Sequence, residues 1–537
     1  MNQDAPPAGA PSALQQAIAL HQQGRLAEAE RGYLDCLAAA PEDAAALFYL
    51  GGLRNQQGRP GEAATLLRQA LERDPDRPES WLQLGVAAKA QGDLATAAGC
   101  FEQAIARRPA WAVAHYNLGV VLQERKRSAE ALRCFEQAIA LRPDYAKAHC
   151  NLAAVLGALH RDAEALASSE RALALQPDYA EAHSNRGSAL ASLGRHDEAL
   201  LSLRRALSLD PAHANANHSH GLTGLKLGRM DAAAWNQHAY RWRLPSAGPY
   251  RHAALPPWDG RTDIRGRRIL LWSEQGYGDT IQFCRYAPLV AARGAQVVLE
   301  VQAPLQGLLG SLEGVAQVFA VGDALPACDV QLPLLGLPQA FATTLATVPG
   351  RVPYLAADAR KVDAWRAARA GPAGAPRIGI ACSGNPGHQN DVRRSLALAA
   401  LAPLFGLGHL ILVQKDLRPQ DEAMLRASPI EDPRGALGDF SDTAALVASL
   451  DLVISVDTSL VHVAGALGKP VWILLPADPD WRWMLHRTDS PWYPSARLFR
   501  QSTADDWMPV VRQVAEQLAR LVRDGIAAPR AGEPLPD

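Results

Sequence analysis

Small and large apolar residues recur at fixed intervals through the first 243 residues of the chain. Alanine, glycine and proline return at steps of 34 residues, in three parallel registers. The glycine register is Gly51, Gly85, Gly119, Gly187 and Gly221, with Ala153 in place of one glycine. The alanine register is Ala29, Ala63, Ala97, Ala131, Ala165, Ala199 and Ala233, and the proline register is Pro41, Pro75, Pro109, Pro143, Pro177 and Pro211. Small residues allow two helices to cross closely, and proline ends a helix because its nitrogen donates no hydrogen bond. The pattern predicts one antiparallel helix pair in each interval.

A helix pair that returns every 34 residues is typical of tetratricopeptide repeats, which this half of the chain resembles. One pair cannot bury its own apolar face, so neighbouring pairs must stack. We therefore predict an α-solenoid over residues 13–244. Phe101 and Phe135 are expected to fill seams between pairs, and Trp235 and Trp242 are expected to cover the last seam.

The concave groove of such a solenoid predicts a peptide or protein partner. Asn117, Asn151 and Asn185 share one register on the first helices of successive repeats, and Asn217 follows in the next repeat. Asparagine side chains can hydrogen-bond a peptide backbone without selecting its side chains. Two alternatives stand beside this hypothesis: the asparagines are solvated polar positions, and the solenoid serves only assembly or support of the next domain.

After the solenoid, the pattern changes to short apolar runs, each followed by a helical stretch. Such runs suit buried strands, and their alternation with helices predicts parallel sheets. The predicted strands lie at 269–274, 296–301, 316–320, 328–332, 377–382, 409–414, 451–456 and 470–475. The alternation restarts at Arg377, which predicts two Rossmann-like halves over residues 245–360 and 361–525. Residues 1–12 and 526–537 are predicted to be disordered.

Composition narrows the classes of function. The formal net charge of −1 over 537 residues gives no basic footprint for nucleic acid or for an anionic membrane. The seven cysteines are scattered and form no CxxC pair, which indicates free thiols in a reducing compartment. The sequence shows no apolar stretch long enough to span a membrane and no signal peptide. We therefore expect a cytoplasmic protein.

Three runs in the second half carry a resemblance to a known family. They are WSEQGYGDTIQFCRYAPLV (272–290), SGNPGHQNDVRRS (383–395) and DLVISVDTSLVHVAGALGKPVWILLPADPDWRW (451–483). With the repeats, they resemble bacterial tetratricopeptide-repeat glycosyltransferases, whose layout is O-GlcNAc-transferase-like. The third run is also similar to heptosyltransferases, in which Asp-Thr follows a strand and a histidine lies on the next helix. Cys382 departs from the family, where tryptophan is expected.

The resemblance implies a GT-B fold, an α/β arrangement of two Rossmann-like halves. It places a nucleotide-sugar on the second half and the acceptor on the first half and the repeats. Asp279 is then the general base that takes the proton of an acceptor hydroxyl. Its alternative role is to cap a helix. Gly276, Gly278 and Gln282 are expected to border the same substrate site.

Residues at strand ends of the second half are expected to hold the donor. Ser383, Gly384 and Asn385 form a turn whose N–H groups suit a diphosphate, and Lys415 adds a cation. The resemblance makes His462 a hydrogen-bond donor to the leaving phosphate. The other expected substrate-binding residues are Asp457, Thr458, Ser459, Asp480, Arg482 and Trp483. The alternatives are structural: a plain turn, a surface lysine, a helix cap, a packed histidine and a packed loop.

No cluster of aspartate and histidine has the spacing of a metal site, so we expect transfer without a divalent metal or any other cofactor. Three hypotheses remain for the function. The first is a protein glycosyltransferase whose repeats deliver a polypeptide. The second is a transferase that acts on lipopolysaccharide or another glycan. The third is a non-catalytic scaffold with a degenerate transferase domain, which the presence of Asp279, Asp457 and His462 argues against.

Overall fold

The computed structural model describes residues 12–368, 375–387 and 390–524. The ends predicted to be disordered lie outside these residues, apart from Ser12. The chain forms two compact units, which divide between Ala216 and Asn217. The domain boundaries expected after residues 12, 244, 360 and 525 stay predictions. None of the described helices combines the length and apolar character that crossing a bilayer requires.

Paired helices make up the first unit. They are α1 Ala13–Gln22, α2 Leu26–Ala39, α3 Ala44–Gln56, α4 Pro60–Arg73, α5 Pro78–Ala90, α6 Leu94–Arg107, α7 Ala112–Glu124, α8 Ser128–Leu141, α9 Ala146–Ala158, α10 Asp162–Leu175, α11 Ala180–Ser192 and α12 His196–Leu209. Each odd-numbered helix packs on the even-numbered helix that follows it, and successive pairs stack. This architecture confirms the predicted tetratricopeptide solenoid in the N-terminal half.

The glycine register lies where the two helices of a pair cross. A Cβ atom on Gly85 would stand 2.6 Å from Cε1 of Phe101, and one on Gly119 would stand 2.7 Å from Cε1 of Phe135. Both phenylalanine side chains are fully buried, so they have no room to move aside. The repeating small residue is therefore required by the closeness of the helices.

The half-buried asparagines of the groove already have hydrogen-bond partners within the stack. The Asn185 amide donates to the Cys150 carbonyl at 3.0 Å, and the Asn151 amide donates to the Tyr116 hydroxyl at 3.3 Å, each in the preceding repeat. The Asn117 amide donates to the Val113 carbonyl of its own helix at 2.9 Å. The Asn151 and Asn185 amides thus serve the stacking of the repeats, and the binding of a peptide by these asparagines stays a prediction.

Two helices precede the sheets of the second unit: α13 Ala214–Lys226 and α14 Ala232–His238, followed by a 3₁₀ turn at Ala239–Arg243. The expectation that Trp235 and Trp242 cover the last repeat seam is wrong. The Trp235 indole donates to the Thr343 carbonyl at 2.7 Å, and Trp242 packs 5.6 Å from the Trp272 ring. These aromatic side chains instead fill the core of the α/β region.

The first sheet has four parallel strands in the order β3-β2-β1-β4. Its strands are β1 Arg268–Trp272, β2 Gln296–Val301, β3 Val315–Ala320 and β4 Val330–Pro333. Its helices are α15 Tyr277–Phe283, α16 Ala287–Ala291, α17 Gln306–Leu309 and α18 Leu337–Ala340, with 3₁₀ turns at Cys284–Tyr286, Ala303–Leu305 and Leu334–Gly336. The helical stretch after β1 is divided between α15 and α16, because Pro288 in the first turn of α16 cannot donate the hydrogen bond of a continuous helix.

The second sheet has five parallel strands in the order β6-β5-β7-β8-β9. Its strands are β5 Arg377–Ala381, β6 His409–Leu412, β7 Leu452–Val456, β8 Val471–Leu475 and β9 Ala496–Arg500. Its helices are α19 Ala359–Ala368, α20 Asp391–Arg394, α21 Pro419–Ala427, α22 Phe440–Ser449, α23 Ser459–Ala466 and α24 Met508–Arg523, with 3₁₀ turns at Leu398–Leu404, Arg434–Ala436 and Trp481–Trp483. The C-terminal region with parallel sheets is confirmed, whereas β9 and α24 were not expected.

Each sheet has one position where the strand order reverses. In the first sheet this position lies between β1 and β4, and in the second it lies between β5 and β7. Ligands of open parallel sheets bind beyond the carboxyl ends of the strands at such positions. The chain that leaves β1 leads to Asp279, and the chain that leaves β7 leads to Asp457 and His462. The fold therefore puts the expected site residues where such sheets bind ligands.

Candidate functional site

Helices α15 and α23 bring the two sheets into contact at the candidate site. Gly278, in the first turn of α15, lies directly against His462 of α23. A Cβ atom on Gly278 would stand 2.7 Å from Cδ2 of His462, which is closer than side chains pack. The glycine is required here because a histidine ring occupies the space of a side chain.

Asp279 lies in the first turn of α15 and uses both carboxylate oxygens. Oδ2 accepts the Gly276 N–H at 3.0 Å, and Oδ1 accepts a hydrogen bond from the Arg482 guanidinium. The capping role is confirmed by the first contact. The second contact joins α15 to the loop after β8, and the role of general base stays a prediction.

Arg482 connects residues from both sheets. Its Nε donates to the Gln282 side-chain oxygen at 2.7 Å, and its Nη1 donates to Asp480 at 2.7 Å. Burial by itself would lower the pKa of this guanidinium, but the carboxylates of Asp480 and Asp279 raise that pKa above its usual value. Arg482 is therefore a permanent cation held between two carboxylates, one in α15 and one in the loop after β8.

His462 is a buried neutral imidazole. Its Nδ1 lies 2.8 Å from the Tyr493 hydroxyl, and its ring stacks on Trp483 at 5.6 Å. Burial lowers its pKa well below the usual value, and the charges of Arg482 and Arg285 lower it further. His462 can therefore offer a hydrogen bond from Nε2 only as a neutral group, when the proton of the Tyr493 hydroxyl points to Nδ1.

Asp457 directly follows β7 and has an unusually basic carboxyl group. Burial, and then the charge of Asp480, raise its pKa from 3.8 to about 6, although Trp483, Arg394 and Arg482 act in the opposite direction. Ionising this carboxyl at neutral pH therefore opposes folding.

The raised pKa predicts that Asp457→Asn stabilises the protein at high pH. The protonated Asp457 carboxyl contributes its full stabilisation of the folded state below pH 3.8, and this contribution is lost as the pH rises through about 6. At pH 8 we expect the variant to gain roughly 1–3 kcal/mol in free energy of unfolding, and near pH 4.5 the gain should be small. Thermal unfolding across this range measures the difference.

The control for this prediction is Asp263→Asn. Asp263 is an exposed carboxylate whose pKa is lowered by hydrogen bonds from Arg265, so its removal should not stabilise the protein at any pH. An Asp457→Asn variant whose unfolding temperature follows the wild type at pH 8 would contradict the account of Asp457.

The turn after β5 uses its N–H groups within the protein. The Ser383 N–H donates to the Gln414 side chain at 3.1 Å, and the Gly384 N–H donates to the Ser395 hydroxyl at 3.2 Å. The Asn385 side-chain oxygen accepts the Gly387 N–H at 2.9 Å. A diphosphate would compete with these partners, and the expected cradle stays a prediction.

Two cations border the same region. Lys415 is exposed, and its ammonium donates to the Gly438 carbonyl at 2.9 Å. Arg394 reaches further in, because its Nη1 donates to the Asp457 carbonyl at 3.0 Å. Thr458 caps α23, as expected, and Ser459 is the first residue of that helix. The side chain of Arg394 thus lies between the turn after β5 and the start of α23.

The tryptophans of the loop after β8 pack inside the protein. Trp481, Trp483 and Trp492 are at most 4% exposed, so they contribute to the core. Stacking of Trp483 on a base or sugar stays a prediction, and in this structure the ring stacks on His462 instead. The sequence indicated no role for Arg285, although it lies in the run 272–290, or for Tyr493, which lies outside the three runs.

An Asp-x-Asp spacing in the same loop contradicts the expectation that the sequence contains no spacing of a metal site. Asp478 and Asp480 have the arrangement that metal-using transferases employ. Asp478 forms an ion pair with Lys226, and Asp480 forms one with Arg482 at 2.7 Å. The described residues contain no group of three or more His, Cys, Asp or Glu side chains placed to hold a metal ion. Protein cations neutralise both carboxylates of this spacing.

Comparisons with protein families match both halves of the chain. Tetratricopeptide repeat families match residues 14–78, 54–118, 112–145 and 180–213. The family described as glycosyltransferase family 9 (heptosyltransferase) matches residues 438–502, which include Asp457, His462, Asp480 and Arg482. The chain therefore combines tetratricopeptide repeats with a region similar to glycosyltransferase family 9.

Individual relatives are more distant. Protein FlbA of Caulobacter vibrioides is 26% identical over 302 residues, which cover 49% of this chain and 48% of that protein. The chain thus spans about half the length of this curated relative. Among solved structures, MamA is 24% identical over 30% of this chain and 94% of its own, with a TM-score of 0.29. YrrB, described as a TPR protein with an unusual peptide-binding site, is 22% identical over 35% of this chain and 96% of its own, with a TM-score of 0.32.

Proposed function

We propose that the chain is a GT-B glycosyltransferase that moves a sugar from a nucleotide-sugar to an acceptor hydroxyl, on a protein held by the repeat groove. The observation that carries the proposal is the meeting of Asp279 and Arg482 beside His462 and Asp457. These residues come from both sheets, at the strand ends where such sheets bind ligands. Three of the four lie within the segment that matches glycosyltransferase family 9.

In this proposal the acceptor oxygen attacks C1 of the sugar, and the bond from C1 to the nucleotide diphosphate breaks. Asp279 takes the hydroxyl proton during the attack. The contact with Arg482 supports this role because it fixes the orientation of the carboxylate. The same contact also joins the proposed base to the loop after β8, which belongs to the half where we propose that the donor binds.

The departing diphosphate needs positive charge and hydrogen-bond donors. Lys415 and Arg394 supply charge near the turn after β5, and the N-terminus of α23 lies next to Arg394. The pKa of His462 lies well below its usual value, so His462 contributes as a neutral donor. Such a hydrogen bond is worth about 0.5–1.5 kcal/mol, less than one from a charged group.

One alternative to a protein acceptor also has support. The match to a heptosyltransferase family favours a glycan acceptor. That match covers residues 438–502 and does not include the repeats. We favour a protein acceptor because tetratricopeptide repeats bind peptides or proteins and fill the N-terminal half of this chain. We also propose a reducing cytoplasmic setting, consistent with seven free cysteines.

The test of the proposal is donor binding with and without metal. We expect nucleoside diphosphates and their sugars to bind with the same affinity in excess EDTA and in Mg²⁺ or Mn²⁺, because Lys226 and Arg482 already neutralise Asp478 and Asp480. Isothermal titration calorimetry measures the affinities, and a nucleoside without phosphate serves as the control ligand. Binding that disappears in EDTA and returns with Mn²⁺ would refute metal-independent binding, and no binding under any condition would refute the proposed function.

A further inference from the structure

The loop between β8 and β9 carries Asp480, Arg482 and Trp483 but has little regular structure of its own. One 3₁₀ turn, Trp481–Trp483, is its only helical element among the described residues. Met484 follows this turn with a φ of 51°, an unusual backbone conformation for a residue other than glycine. The position of Arg482 therefore depends on what holds the loop from outside.

Lys226, the last residue of α13, contacts the loop at two points. Its ammonium forms an ion pair with Asp478, two residues before Asp480. Its main-chain carbonyl accepts the Leu485 N–H at 2.9 Å, three residues after Arg482. The Lys226 and Asp478 side chains are only 15% and 19% exposed, so solvent screens this ion pair little. A single residue thus fixes the loop on both sides of Arg482.

Helix α14 supports the middle of the same loop. The Trp235 ring meets the Trp481 ring edge-on at 5.5 Å, next to Arg482 in sequence. The Trp235 indole also donates to the Thr343 carbonyl, which belongs to the segment after the first sheet. The helix pair therefore contacts both the donor-side loop and the region around the first sheet.

The charges give Lys226 a particular importance. Arg482 bonds to the carboxylates of Asp480 and Asp279, and Lys226 neutralises Asp478 in the same loop. Without that ammonium, the partly buried Asp478 would lose its ion-pair partner. The cost of burying an unpaired carboxylate would displace this part of the loop, and Arg482 with it.

We propose that Lys226 is a positioning residue of the candidate active site: by holding Asp478 and the Leu485 amide, it keeps Arg482 directed at Asp279. The catalytic part of this proposal rests on the transferase function proposed above. The positioning itself is a property of the loop and has its own measurement. The helix pair α13–α14 is then part of the catalytic machinery, although it follows the repeats in sequence.

The experiment compares Lys226→Met with the double variant Lys226→Met/Asp478→Asn in the full chain. Hydrogen–deuterium exchange of the segment 476–485 reports the loop directly. In Lys226→Met we expect exchange to accelerate at least 10-fold, since the unpaired carboxylate leaves its place. The double variant should return most of this protection, because it removes the carboxylate that lacks a partner. Lys361→Met is the matched control, since Lys361 pairs with Asp442 at 2.7 Å elsewhere in the same unit.

The same variants are assayed for transfer from a nucleotide-sugar, with the number of donor-binding sites in each preparation measured by titration with a nucleoside diphosphate. We expect Lys226→Met to lower kcat per donor-binding site at least 10-fold, because Arg482 no longer holds the proposed base in place. A purely structural role would lower the number of donor-binding sites without changing kcat per site. The double variant should restore kcat per site, and Lys361→Met should leave it unchanged.

Wild-type exchange and kinetics in Lys226→Met would overturn the proposal. If the loop loses protection in Lys226→Met but the chain transfers no sugar from any nucleotide-sugar, the positioning is supported and the proposed transferase function is not. If the Lys226→Met chain unfolds, the double variant decides, and its loop protection and its kcat per donor-binding site are compared with those of the wild type. Failure of the folded double variant to restore either of them would also overturn the proposal.

Discussion

Asp279→Asn is expected to lower kcat by roughly 10²–10⁴-fold, the range that a general base contributes. The amide cannot accept the proton of the acceptor hydroxyl, but it keeps the size and the capping geometry of the carboxylate. The affinity for a nucleoside diphosphate should stay within about twofold, because we propose no contact between Asp279 and the donor. Steady-state kinetics and calorimetry on the same preparation measure the two quantities.

The control for this variant separates catalysis from helix capping. Asp43 caps α3 in the first unit through hydrogen bonds to the Ala45 and Ala46 N–H groups, and Asp43→Asn should leave kcat unchanged. Thermal unfolding of both variants shows whether either loses stability. An Asp279→Asn enzyme with near wild-type kcat would mean that this aspartate is a helix cap and an ion-pair partner of Arg482 only.

Deletion of residues 1–210 is expected to abolish transfer to a protein acceptor and to leave donor binding intact. The deletion removes the repeats that we propose hold the acceptor, but it keeps α13, α14 and both sheets. Donor affinity should therefore match that of the full chain. Calorimetry with a nucleoside diphosphate and transfer to proteins of a cell extract measure the two activities.

A longer deletion provides the contrast. Removing residues 1–244 also removes Lys226, Trp235 and Arg241, and Arg241 forms a buried two-point contact with Glu274 directly after β1. This shorter chain should lose donor binding or fail to fold. A chain without residues 1–210 that still modifies its natural acceptor would favour a glycan acceptor over a protein held by the repeats.

The repeats and most strands could be predicted because local patterns encode them. A small residue that returns every 34 positions indicates where paired helices cross. Short apolar runs indicate strands that are buried on both faces. Strand β9 escaped prediction because Arg497 and Arg500 interrupt its apolar run. Helix α24 is amphipathic, with Val511, Val514 and Leu518 on its buried face, but it lies beyond the last recognised motif.

The chemistry of the site was harder to predict than its position. The strand-end motifs indicated Asp279, Asp457 and His462, which the fold brings near one another. The protonation of His462 and Asp457 depends on burial and on arginines from other elements, which no spacing in the sequence reveals. The ion pairs that occupy Asp478 and Asp480 depend on Lys226 and Arg482, and the first of these lies far away in the chain.

The close contact of Gly278 with His462 has a genetic consequence. Every missense change of a glycine codon introduces at least a Cβ atom, and that atom would stand 2.7 Å from the histidine ring. Even alanine, usually the mildest replacement, would therefore push α15 and α23 apart. No amino-acid replacement at position 278 avoids this clash, so alleles altered at this residue should behave as loss-of-function alleles. The repeats of such a protein should still accumulate in folded form.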